Sequence, residues 1–226
     1  MNYSDLVNQQ SGYEDFIASC EHAKAVSLLA TVDGLLQWDE QTMLPAAAGD
    51  FRADQAATDV LGITWRENLG LHNRELQPDL AARAALAGVM RQTRPRWLFT
   101  HYWVDAHPDH VAACELTEAA RFWAKLSKCD LPFKPHHPER IFHFWSVHQK
   151  TPPQPSFVID TTKTHQIKQK AIHCYRSQFP ASDSGLSVPE RVAAGDAWWG
   201  TMIGTAAGEP FACREPIALS GFGDLR

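Results

Sequence analysis

Apolar positions in this chain recur at spacings of three and four along most of its length, and short continuous apolar runs interrupt that rhythm. Over residues 13–42, Phe16, Ile17, Val26, Leu29, Ala30, Leu35, Leu36 and Trp38 fall at helical spacing with charges between them, and Pro45 ends the pattern. Gly49-Asp50 predicts a turn before a second helix from Arg52 to Leu61. A polar stretch, Arg66 to Pro78, precedes a helix from Asp79 to Gln92 with Ala82, Leu86, Val89 and Met90 on one face, closed by Pro95. Trp97 to Trp103 is continuously apolar and predicts a strand buried on both faces. Val111 to Leu126 predicts a helix with Leu116, Ala119, Ala120, Trp123 and Leu126 on its stripe and Glu115, Glu118 and Lys125 off it. Short strands are expected at Ile141–Trp145 and Phe157–Ile159, on either side of the proline-rich Thr151-Pro152-Pro153-Gln154-Pro155. Helices follow from Thr164 to Phe179 and from Pro189 to Ile203. Strands interleaved with helices predict an α/β fold with a mainly parallel sheet.

Composition adds bounds to this picture. With 226 residues, 44% of them hydrophobic, the chain can build one domain, or one domain with an appendage. A formal net charge of -5 gives no global reason to expect nucleic acid or an anionic membrane as partner. Lys163, Lys168, Lys170 and Arg176 read as the solvated face of a helix. Five cysteines (Cys20, Cys114, Cys129, Cys174, Cys213) are odd in number and form no Cys-x-x-Cys pair, which fits reduced thiols in the cytoplasm. The start, Met1 to Asp5, lacks a basic segment followed by an apolar one, and no apolar run reaches bilayer length. A soluble, cytoplasmic protein is expected.

The candidate chemistry lies in Ala106-His107-Pro108-Asp109-His110, at the carboxyl end of a predicted strand, where open α/β sheets place their ligands. If a helix starts near Pro108, both imidazoles project toward one side of its first turn. A metal can use that arrangement, and so can a plain surface loop. Other residues attract weaker readings. His136-His137, followed by Pro138, suggests a turn or a substrate rim. His101 reads as a packed histidine and Cys114 as a buried small hydrophobe. Trp145, Trp198 and Trp199 could stack on a sugar but fit packing as well. Ser177 and Ser184 have no neighbouring base.

Two family resemblances enter here. Leu36-Gln37-Trp38-Asp39-Glu40-Gln41-Thr42-Met43-Leu44-Pro45 and Phe51-Arg52-Ala53-Asp54-Gln55 resemble the amino-terminal helices of Taq-type zinc metallocarboxypeptidases, over residues 13–55. The catalytic His-Glu-x-x-His of that family is absent from this sequence, so its peptidase chemistry does not come with the segment. From Ala56 onward the chain resembles the LmbE/PIG-L family of zinc-dependent de-N-acetylases. The words that carry this are Arg94 to His101, Asp105 to Ala113, His137-Pro138-Glu139-Arg140-Ile141, Ser156 to Asp160, Lys170 to Phe179, and Gly208-Glu209-Pro210-Phe211.

The second resemblance implies an LmbE-like, Rossmann-type three-layer α/β sheet and a zinc cofactor. It also implies a small-molecule N-acetylglucosaminyl conjugate whose acetamide is hydrolysed by zinc-activated water. His110 would be a zinc ligand, His107 an imidazolium stabilising the oxyanion, and Asp109 a carboxylate orienting an imidazole. Self-association is left open. One departure qualifies all of this: the family's earlier Ala-His-Pro-Asp-Asp word is missing from residues 1–95, whose histidines are only His22 and His72. The expected organisation is therefore a carboxypeptidase-like helical segment over residues 1–55 joined to a truncated deacetylase domain over 56–226, with an incomplete sheet and an unpaired strand edge. Asp33, Asp39 and Asp50 are the candidate replacements for the lost acids. A lone His110 falls short of the three protein ligands that catalytic zinc takes. A working hydrolase and an inactive, glycoside-binding remnant both remain open.

Overall fold

The structure, a computed structural model, describes residues 48–149, 151–175, 179 and 185–221. The predicted helix over 13–42 and the candidate acids Asp33 and Asp39 lie outside the described residues, as do Ser177 and Ser184; nothing is described of the Asp50 side chain. The elements in order are α1 (Ala48–Leu61), α2 (Leu80–Thr93), β1 (Trp97–His101), α3 (Pro108–Ala124), β2 (Arg140–Phe144), β3 (Phe157–Asp160), α4 (His165–Ile172) with a 3₁₀ turn (His173–Tyr175), α5 (Val188–Met202) and β4 (Gly208–Phe211). The fold is α/β, with small sheets among helices. The described residues divide into two compact units, one of residues 48–65 with Ile159–Glu209, the other of Arg66–Val158 with residues 210–221.

The second unit holds α2, β1, α3 and β2. Helix α2 begins where Asp79 accepts the Ala82 N–H at 2.8 Å, satisfying a donor that the first turn leaves without an intrahelical partner. β1 and β2 pair in parallel, Trp97 opposite Arg140 and His101 opposite Phe144. A parallel pair needs a long crossover, which α3 supplies. The core between α2 and α3 consists of Ala87, Met90, Ala120 and Ala124, with Leu86, Leu98, Trp123 and Leu131 packed against it. Its small residues let the helices approach closely. Arg91, also buried, donates to the Ala124 carbonyl at 3.0 Å and the Leu131 carbonyl at 3.1 Å, so its charge ties down the end of α3 and the loop beyond.

Two expectations need correcting in this unit. The first strand stops at His101 rather than Trp103, and only Thr100 and His101 are buried in it. Among the described residues β1 pairs with β2 alone, in a two-stranded sheet. With so little sheet around it, the strand is half covered rather than enclosed. Tyr102 and Trp103 leave the strand and pack on each other with ring centroids 4.0 Å apart.

In the first unit α4 corrects a further reading. Lys168 does not lie on a solvated face: it is 1% exposed, and its Nζ sits 2.9 Å from Asp196 Oδ1 and 3.5 Å from Glu209 Oε2. Lys163 and Lys170 are not buried, as expected. The helix expected to reach Phe179 ends at Ile172 and tightens into the 3₁₀ turn, which brings the Tyr175 hydroxyl to Asp54 Oδ1 at 2.7 Å. Helix α5 opens on a capping interaction, the Ser187 N–H donating to Glu190 Oε2 at 2.8 Å. β3 and β4 pair with each other. β4 has no strand signature in the sequence; burial of all four of its residues, Glu209 included, is a product of tertiary context. Among the described residues no helix is long and apolar enough to cross a membrane.

Candidate functional site

The turn between β1 and α3 is shaped by its own side chains. Asp105 Oδ1 accepts the His107 N–H at 2.8 Å, an Asx-type turn. His107 then caps α3: its Nδ1 accepts the Asp109 N–H at 3.1 Å. Pro108 occupies the start of the helix, where a missing N–H costs nothing. Asp109 places a carboxylate in the first turn, favoured by the helix dipole by roughly 0.5 kcal/mol. Its Oδ2 accepts the backbone N–H of Arg74 at 2.6 Å, pinning the loop ahead of α2 to the site.

His110 is the centre of the cluster and is fully buried. Its ring lies between two others, with His101 at 4.1 Å and 17° and His107 at 4.6 Å and 24°, so three imidazoles stack nearly parallel. His148 approaches from beyond β2, 5.6 Å from His110 and 5.9 Å from His107. Asp105 Oδ2 lies 3.2 Å from His110 Nδ1, with both side chains wholly enclosed, and also accepts the Ser146 hydroxyl. Burial would raise the Asp105 carboxyl, but hydrogen bonds from His110, Ser146 and the His107 backbone outweigh it and hold the group down at about 2. Burial lowers His101 to about 3, with the neighbouring His110 adding to the effect, and His107 is lowered for the same two reasons. The two outer rings of the stack are therefore held toward the neutral form.

An anionic Asp105 3.2 Å from Nδ1 favours a ring proton of His110 on that nitrogen, which in the neutral ring leaves the lone pair on Nε2, although the contact falls short of good hydrogen-bond geometry. Among the described residues neither His110 Nε2 nor His101 Nε2 has a hydrogen-bond partner, although both are buried. Buried polar atoms are normally satisfied, so a lone pair held open in this way marks a place for a proton or a cation. The residues do not fit a complete zinc site, however. Near-parallel rings do not aim their lone pairs at one point, and Asp105 occupies the far nitrogen of His110. Among the described residues, the one group of three donors with ligand atoms all within 4.8 Å of one another is Cys114 and Glu118, further along α3, with His143 of β2.

Of the residues singled out from sequence, His107, Asp109 and His110 do come together on one helical turn. The carboxylate at the His110 ring is that of Asp105, while Asp109 holds Arg74. An Nδ1 that accepts a backbone N–H also makes His107 a neutral ring rather than the expected imidazolium. His136 lies in a loop, with its Nε2 2.7 Å from the Pro95 carbonyl oxygen. Sequence reasoning missed Asp105, Ser146 and His148. Asp105 carried a usable signal, the Asx spacing two residues before His107; Ser146 and His148 follow a different strand and have none.

Residues 20–121 match the family described as PIG-L: GlcNAc-PI de-N-acetylase. That match begins inside the stretch whose words resemble the carboxypeptidases. Among solved structures, the conserved protein TT1542 from Thermus thermophilus is 31% identical, with a TM-score of 0.73 over 81% of this chain and 80% of that one. GalB, the 4-carboxy-2-hydroxymuconate hydratase from Pseudomonas putida, is 18% identical, with a TM-score of 0.62 over 76% and 74%. The N,N'-diacetylchitobiose deacetylase from Pyrococcus horikoshii, complexed with its inhibitor MPG, is 22% identical, with a TM-score of 0.60 over 73% of this chain and 62% of that one. The last two likenesses concern the fold.

Proposed function

Because the chain belongs to the PIG-L (LmbE-like) family, we propose that it is a deacetylase-like protein that receives the acetamide of an N-acetylglucosamine conjugate beside His107 and His110, and turns it over slowly. The observation that carries this reading is the buried His110, whose Nε2 has no hydrogen-bond partner among the described residues and whose Nδ1 stands 3.2 Å from Asp105 Oδ2. In that state His110 can accept a proton or bind a cation, and Asp105 would stabilise the positive charge that develops. His107, its Nδ1 engaged by the Asp109 N–H, would stand beside the acetamide carbonyl and orient it. Asp109 is a positioning residue that holds the Arg74 loop.

Slow turnover follows from the donor count. Catalytic zinc takes three protein ligands, and the described residues offer His110 one partner, already committed to its other nitrogen. The exchange of residues 1–55 for a carboxypeptidase-like segment belongs to the same proposal. The missing Ala-His-Pro-Asp-Asp word supports it, whereas the family match reaching back to residue 20 weighs toward a deacetylase origin for part of that segment. The small-molecule conjugate and cytoplasmic location are likewise part of this reading, as is zinc held only weakly or not at all at His110.

Calorimetric titration with an N-acetylglucosaminyl glycoside, run beside an assay for released acetate, tests it. Saturable binding that His107→Ala weakens, with acetate release near the uncatalysed background, is the expected result. Absence of binding, or rapid release, would overturn it.

A further inference from the structure

One turn of α3 beyond His110, the helix presents Cys114 and, one turn later, Glu118 toward His143 of β2. Cys114 Sγ lies 4.0 Å from Glu118 Oε1, and His143 Nε2 lies 3.7 Å from the same oxygen. Cys114 and His143 are each 1% exposed. We propose that Cys114, Glu118 and His143 form a binding site for a soft divalent cation such as zinc, separate from the His110 cluster, in which the metal clips α3 to β2.

Distances among the donors suit a cation, the three ligand atoms all lying within 4.8 Å of one another. Zinc bonds of ~2.0–2.3 Å at tetrahedral angles set donor atoms roughly 3.4–3.7 Å apart. The two separations from Glu118 need only a few tenths of an ångström of closure. The sulfur lies 3.6 Å from His143 Nδ1, so ligation beside Nε2 requires the Cys114 side chain to rotate toward that nitrogen. The histidine is already held in the form that ligation requires, because its Nδ1 donates to the His101 carbonyl at 3.0 Å, which fixes the tautomer and leaves the lone pair on Nε2. Metal-binding histidines characteristically engage a carbonyl or carboxylate through the other nitrogen in this way. Burial lowers His143 overall, so it stays neutral and competent as a ligand. Arg214 Nη1, 3.3 Å from Glu118 Oε2, orients the carboxylate from its far side. The Trp103 ring meets His143 edge-on at 4.9 Å, and the Arg214 guanidinium lies 4.4 Å over that same indole, so the site is roofed.

The thiol gives the site its selectivity. Burial first, and then the negative charge of Glu118, push Cys114 up to about 12, so without metal it is a thiol and a poor nucleophile. Binding would expel that proton and form a sulfur–metal bond. A thiolate, an imidazole and a carboxylate suit zinc and cobalt, and three protein donors leave one position for water. Because the His101 carbonyl belongs to the residue whose ring stacks on His110, a metal here would steady the stack without touching it.

Titration of the full chain with cobalt(II) alone, after removal of bound metal, tests the site through the thiolate-to-cobalt charge-transfer absorption in the near ultraviolet. The band should saturate at one equivalent, survive His110→Ala and disappear in Cys114→Ser. Glu118→Gln, a near-isosteric change on a partly exposed residue, should weaken cobalt binding by about tenfold or more, since even outer partners of a ligand have effects of that order. Circular dichroism reports whether Cys114→Ser folds; if it does not, the Glu118 variant carries the test. No sulfur band at any cobalt ratio, a band indifferent to Cys114→Ser, or unchanged affinity in Glu118→Gln would overturn the assignment. Survival of the band in His110→Ala keeps this result independent of the deacetylase reading.

Discussion

Two buried polar clusters in this chain are built on opposite principles. Around Lys168, charge is paired off: the ammonium meets Asp196 and Glu209, and His165 Nδ1 stands 3.3 Å from the second oxygen of Asp196. Around His110, charge is sparser: the flanking rings of His101 and His107 are held toward the neutral form, one carboxylate stands 3.2 Å from His110 Nδ1, and His101 Nε2 and both His110 nitrogens lack a hydrogen bond of good geometry among the described residues. The difference lies in charge: in the first cluster an ammonium faces two carboxylates, although His165 Nδ1, Asp196 Oδ2 and Glu209 Oε2 make no hydrogen bond of good geometry among the described residues, whereas in the second a single carboxylate faces a stack of imidazoles.

The contrast is broken most severely at Lys168. Lys168→Met leaves two carboxylates buried without their cation, and urea unfolding should register a loss of about 3–5 kcal/mol with no effect on glycoside binding. Linkage gives a check on pH. The flanking carboxylates outweigh burial and raise Lys168 above its ordinary value, so its contribution is complete below that value, about 10.5, and is lost only as pH rises through the folded value. Stability from this cluster should therefore be flat through neutral pH and fall only in strong alkali.

Gly200 tests the same region by shape. A Cβ there would stand 2.7 Å from the Ala207 backbone nitrogen, on the segment leading to Glu209. Gly200→Ala should destabilise by up to about 3 kcal/mol in thermal or urea melts, because backbone rather than a flexible side chain must give way.

The histidine cluster answers next. Asp105 is depressed to about 2 from an ordinary 3.8, so its stabilisation is present above the ordinary value and drains away as pH falls toward 2. Roughly 2 kcal/mol should be lost over that acid range, and Asp105→Asn should be less stable at neutral pH and lack that part of the slope. The smallest effect is expected at His101. Its Nε2 makes no hydrogen bond among the described residues and its ring is neutral, so His101→Phe should change stability by no more than about 1 kcal/mol. A large loss would mean that the open nitrogen is bonded after all.

Much of the fold was legible because it follows from local rules. The apolar stripe of α3, the Asp79 start of α2 and the Pro108 start of α3 all follow from periodicity and capping, and the observed ends lie within a few residues of those expected. What escaped depends on partners distant in the chain. Lys168 looks like any solvated lysine until Asp196 and Glu209 fold against it. β4 is a strand only because its surroundings bury it. The candidate site divides the same way: His107 and His110 were readable as a motif, and Asp105 could have been found from its turn spacing. Ser146 and His148 arrive from the end of β2, where no local pattern distinguishes them.

The most direct measurement is zinc per chain after dialysis against a weak chelator, compared between the native protein and His110→Ala, with acetate release from an N-acetylglucosaminyl glycoside followed in parallel. An incomplete donor set at His110 predicts that the substitution removes well under one zinc and that acetate release is near background in both. A full equivalent of zinc lost with His110, together with rapid turnover in the native protein alone, would contradict it.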